Sequence, residues 1–69
     1  MKDPVYKITE LTGTSTTSID DAVNKAVKQA HKTAKKSSWF EVIDTRGKID
    51  KEKVLQWQVT VKVGSKANN

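Results

Sequence analysis

The chain has 69 residues, 13 Lys and Arg against 8 Asp and Glu for a net charge of +5, one histidine and no cysteine. That length allows one domain at most, and the missing cysteines exclude disulfides and thiolate metal sites. A chain this short buries a small share of its surface, so association with further copies is the expected source of stability.

The stretch "VYKITELTG" (5–13) is rich in β-branched and aromatic residues and ends in Gly13. It reads as a first strand, with Pro4 suited to its start. "GTSTTS" (13–18) reads as a loop. In "SIDDAVNKAVKQAHKTAKKS" (18–37), Ile19, Ala22, Val23, Ala26, Val27, Ala30 and Thr33/Ala34 recur at helical spacing. Ser18 is the expected N-cap, Asp20 and Asp21 fall in the first turn, and Lys35 and Lys36 close the last, all in accord with the helix dipole. The inward alanines predict a helix lying tightly across a sheet.

"SWFEVIDTRGKI" (38–49) is predicted as a second strand, "DKEK" (50–53) as a hairpin turn and "VLQWQVTVKVG" (54–64) as a third strand. In the third, Leu55, Trp57, Val59, Val61 and Val63 share one face, and Gln56, Gln58, Thr60 and Lys62 the other. "SKANN" (65–69) reads as a frayed tail. The expectation is one α+β domain over residues 1–69, ordered from about 4 to 64, with a single helix covering one face of a three-stranded antiparallel sheet.

Strand parity poses a question at "WF" (39–40), since neighbours on a strand point to opposite faces. With Phe40 and Val42 under the helix, Trp39 stands on the outer face beside Gln58. A stacking ring and an amide that both donates and accepts suit a flat heteroaromatic ligand, and Trp39 equally suits a subunit interface. Arg46 is the only arginine. Its fork fits a phosphate, a carboxylate, or a surface pair with Asp44 or Glu41. Asp44 could serve ligand hydroxyls or simply be solvated. Parity puts Asp44 and Arg46 on Phe40's face, so a twist or bulge near the middle of the strand is needed to turn them toward Trp39. His31 has no partner for metal or nucleophilic chemistry, and "LTGTSTTS" matches no phosphate-loop pattern. No apolar run is long enough to span a membrane and "MKDPVYK" has no signal core, so a cytoplasmic protein is expected.

Residues 5–64 resemble the dodecins, small flavin-binding proteins. The match is carried by "VYK…EL.GTS" (5–15), "WFEV" (39–42), "D.RG" (44–47) and "WQVTVKVG" (57–64), in the right order and spacing. The resemblance implies a sheet wrapped around the helix and twelve subunits in a hollow cubic shell. It also implies sites where subunits meet, each holding two stacked flavins between paired tryptophans. By position, Trp39 would stack on the flavin and Gln58 would bond the polar edge of the isoalloxazine ring. Asp44 falls where some members contact the ribityl chain, and Arg46 where bacterial members place an arginine near the phosphate or a subunit contact. The sequence departs from the family at "SKANN", where a bulky apolar residue and a "LE"-type ending are common, and at Lys48, where histidine is common.

The expected function is a non-enzymatic flavin store, with FMN as first ligand and riboflavin or FAD as alternatives. Coenzyme A and other anions are further ligands open to a basic chain. The competing readings are a basic nucleic-acid-binding module, supported by the helix lysines, and a purely structural oligomer.

Overall fold

In the computed structural model, which describes residues 3–34 and 36–67, four elements follow one another: β1 (Tyr6–Ser15), α1 (Ile19–Thr33), β2 (Ser37–Asp50) and β3 (Lys53–Lys66). β3 lies in the middle of one antiparallel sheet of order β1-β3-β2. This is the α+β arrangement that the periodicities predict. No helix among the described residues is long and apolar enough to cross a membrane.

The element ends shift for local reasons. β1 passes Gly13 because Thr14 and Ser15 still pair with Gln58 and Trp57. Ser18 caps α1 as expected, its side chain accepting from the Asp21 N–H at 3.0 Å. The basic last turn is made by His31 and Lys32. The helix stops before Lys36, and Lys35 lies outside the described residues. The tail expected to fray from residue 65 instead continues β3 to Lys66. Ser65 is buried, and the Ala67 N–H donates to the Val5 carbonyl at 2.7 Å.

The core is built from small residues. Ala22, Ala26 and Ala30 form one stripe of α1 and meet Val59, Val61 and Val63 of β3, with Leu11 and Val23 at the margin. Alanine lets the helix axis approach the sheet closely, and Gly13 takes this further, because a Cβ there would collide with the Ala22 carbonyl oxygen. Ser15 ties the end of β1 to the start of α1. Its hydroxyl accepts from the Thr17 and Ser18 N–H groups and donates to Asp21 Oδ2 at 2.7 Å.

Phe40 does not fill this core. It stands opposite Val63 and Val42 stands opposite Val61, so both point to the helix side, yet they are 49% and 45% exposed. The reason is width. A helix about 10 Å across covers roughly two strands spaced about 4.8 Å apart, and α1 sits over β1 and β3. An open groove lined by Ile19, Val23, Phe40 and Val42 remains between helix and β2. Length acts the same way. The β2–β3 hairpin is about 45 Å long at about 3.3 Å per residue, whereas α1 is about 22 Å long at about 1.5 Å per residue. Beyond the helix, Ile49, Val54 and Leu55 are half to mostly exposed.

The result is an elongated body of 55 × 19 × 13 Å. Its accessible surface is 5284 Å², against about 4,300 Å² for a compact monomer of this mass. The excess and the exposed apolar side chains define a fold that needs partner surfaces.

Candidate ligand-binding face

The face of the sheet away from α1 gathers the aromatic and polar groups. Val59, Val61 and Val63 point to the helix, so Gln56, Gln58, Thr60, Lys62 and Gly64 point outward. Residues directly opposite one another on paired strands share a face. Trp39 stands opposite Gly64, Glu41 opposite Lys62, Asp44 opposite Thr60 and Arg46 opposite Gln58. All four candidate residues, Trp39, Gln58, Asp44 and Arg46, therefore lie on the outer face.

Simple alternation along β2 would separate Trp39 from Asp44 and Arg46. The register resolves this with a bulge: Val42 pairs with Val61 and Asp44 with Thr60, so Ile43 is the inserted residue. An inserted residue inverts the parity of everything after it. A second irregularity between Ser37 and Trp39 does the same at the strand's start, leaving Trp39 outward and Phe40 inward.

Trp39 is 41% exposed and rests over Gly64, where a Cβ would fall within the indole ring. The Tyr6 ring meets it edge-on, with centroids 5.8 Å apart at 64°. The edge-to-face contact holds the indole while leaving ring surface open for stacking.

Further along the face, Arg46 Nη1 donates to Asp44 Oδ2 at 3.0 Å and Arg46 Nε to Gln58 Oε1 at 3.0 Å. Gln58 Nε2 in turn donates to Gln56 Oε1 at 2.9 Å. Beyond it the Thr12 and Thr60 hydroxyls pair at 2.8 Å across β1 and β3. Gln56 and Tyr6 belong to this surface although the sequence did not single them out. The i, i+2 spacing in "QWQ" carried the signal for Gln56, whereas Tyr6 reaches Trp39 only through the β1–β3 register.

Trp39 and Gln58 share the face without sharing a spot. Gly64, under Trp39, and Gln58 are six positions apart on β3, about 20 Å at about 3.3 Å per residue. A single flat ring cannot span both within one chain. Among the described residues no group of three or more His, Asp or Glu is placed to hold a metal ion.

Fold and face together define a small α+β protein whose outer sheet face gathers an open indole, two amides and an ion pair. Comparison with known proteins gives the family. The dodecin family matches residues 5–68, and the chain belongs to it, a family of oligomeric small-molecule-binding proteins. A dodecin of Thermus thermophilus is 42% identical over 60 residues, 87% of each chain. The structure of dodecin from Streptomyces coelicolor superimposes with a TM-score of 0.91 at 40% identity, covering 100% of this chain and 99% of that one. A calcium dodecin of Mycobacterium tuberculosis superimposes with a TM-score of 0.80 at 26% identity, covering 93% and 91%.

Proposed function

We propose that this protein is a non-enzymatic flavin store, holding FMN between Trp39 side chains of neighbouring subunits in a closed shell of twelve copies. The observation that carries the reading is the inversion at Ile43, which puts Asp44 and Arg46 on the same face as Trp39 and Gln58. An indole open for stacking, an amide for the polar edge of the ring, and a carboxylate and a guanidinium for the ribityl chain and its phosphate match the parts of FMN in kind. Sandwiching between indoles would quench the flavin's excited state and shield the ring from reductants. Among the described residues the indole has Glu41, opposite Lys62, as its carboxylate neighbour along β2 and no paired nucleophile and base, which favours storage over turnover. Riboflavin and FAD fit the same ring site. Calcium, the ligand class named for one relative, has no gathered acidic cluster here within the described residues of one chain.

The test is fluorescence. FMN added to the purified protein should lose most of its emission, and Trp39→Ala should restore it. Unchanged emission at micromolar flavin overturns the reading. The particle should sediment at roughly 90 kDa, twelve times the 7.7 kDa chain.

A further inference from the structure

We propose that Arg46 is a positioning residue: tethered by Asp44, its guanidinium fixes the donor and acceptor polarity of the Gln58 and Gln56 amides, so that the face reads a ligand edge rich in acceptors. The inference rests on the flavin reading for the identity of the ligand, and on hydrogen-bond chemistry alone for the role of Arg46.

An exposed glutamine can present either its oxygen or its nitrogen to a ligand. Here the choice is forced. Arginine has donors and no acceptor, so the Gln58 atom 3.0 Å from Arg46 Nε must be the oxygen. Gln58 Nε2 then points to Gln56, and the Gln56 atom 2.9 Å away must be its oxygen. Gln56 therefore turns its own nitrogen away from Gln58. What the row leaves for a ligand is one N–H of Gln58 and both of Gln56, a surface dominated by donors. The two carbonyl oxygens of a dioxopyrimidine edge are the complementary acceptors, and the N–H between them can donate to the second lone pair of Gln58 Oε1.

Asp44 keeps Arg46 in place through Nη1 at 3.0 Å, and this leaves Nε free to aim at Gln58. The ion pair is exposed at 58% and 51%, so it contributes little to folding. Its geometric effect on the amides remains. With Nε and one Nη1 hydrogen committed along the sheet, the guanidinium acts on the ring edge through Gln58, and its remaining Nη hydrogens stay available to a phosphate.

FMN and riboflavin separate the two roles, since they share the ring and the ribityl chain and differ in the phosphate. Affinities are measured by flavin quenching on the assembled protein. Arg46→Met should weaken riboflavin about 5–10-fold, the range for one hydrogen bond, and FMN by at least as much. Arg46→Lys, which still donates, should recover most of the loss for both. Unchanged riboflavin affinity, whether or not FMN is weakened, overturns the proposal. If the wild-type protein quenches neither flavin, the storage reading fails and a ligand-free signal decides this one. Arg46 is the only arginine, so its Nε–H gives one side-chain arginine signal in a ¹H–¹⁵N spectrum. Gln58→Leu should shift that signal and speed its exchange with water. A signal that does not move overturns the proposal.

Discussion

The Trp39 indole occupies the space that a side chain at position 64 would need. The two residues are directly opposed on β2 and β3, and a Cβ on Gly64 would fall within the ring. Glycine here serves close approach, since its backbone is ordinary extended strand. Gly64→Ala should push the indole off the sheet and away from the Tyr6 edge. We expect flavin affinity to fall about tenfold, the scale of a lost aromatic stack, with a shifted tryptophan emission and unchanged far-ultraviolet circular dichroism. Wild-type affinity in this variant would show that the indole has another resting place.

Gly13 is constrained from the other side of the sheet. Its missing side chain makes room for backbone, the Ala22 carbonyl, which has no rotamer by which to retreat. Gly13→Ala should therefore destabilise by about 1–3 kcal/mol, the range for overpacking a tight contact. Chemical denaturation at matched protomer concentration measures this, because assembly couples stability to concentration. A neutral result would mean that α1 can lift from β1 without penalty.

The β2–β3 hairpin turns through Lys51 and Glu52, with φ of 50° and 68°. Two successive left-handed residues are what a two-residue hairpin requires, and neither lysine nor glutamate favours that conformation. Glu52→Gly should raise stability by about 0.5–1 kcal/mol and Lys51→Asn by less, read as higher denaturation midpoints with unchanged slope. A decrease would indicate that these side chains have partners in the assembly.

Asp21 gives the pH dependence a sign. The Ser15 hydroxyl and then Lys25, 3.2 Å away, hold its carboxyl below the ordinary value of 3.8. A carboxylate with a lowered folded-state pKa adds stability that is fully present above the unfolded value and is lost as pH falls through the folded one. Wild type should therefore lose stability relative to Asp21→Asn as pH is lowered below about 4, and the two should run parallel above pH 5. Thermal midpoints across pH 2.5–7 test this. A constant difference across that range would remove Asp21 from the acid response.

Much of the fold could be read from short-range pattern. The alternation from Val59 to Val63 and the alanine stripe of α1 each declare a face, because burial on one side selects residues at a fixed period. Ser18 and the two aspartates after it mark the helix start through backbone donors that must be satisfied locally. Those signals act within a few residues, so they survive without knowledge of the tertiary partners. Phe40 shows where they stop. Its inward direction follows from parity, but whether anything covers it depends on the width of one helix against three strands.

The candidate site divides in the same way. The sequence by itself determined the residue types: one arginine, an indole beside a phenyl ring, and glutamines on the polar side of a strand. It also determined the order of elements and the antiparallel class of the sheet, whereas the strand order β1-β3-β2 came from the pairing. Parity already put Trp39 and Gln58 on one face; the tertiary structure alone decided that Asp44 and Arg46 join them. Ile43 is an inserted residue only in relation to Val61 and Thr60, and register between strands is a long-range property that no local spacing encodes. The same pairing set Trp39 about 20 Å from Gln58 along one chain, at about 3.3 Å per residue. That distance, together with apolar surface left uncovered on a body too thin to bury it, is why the proposed site includes a second copy.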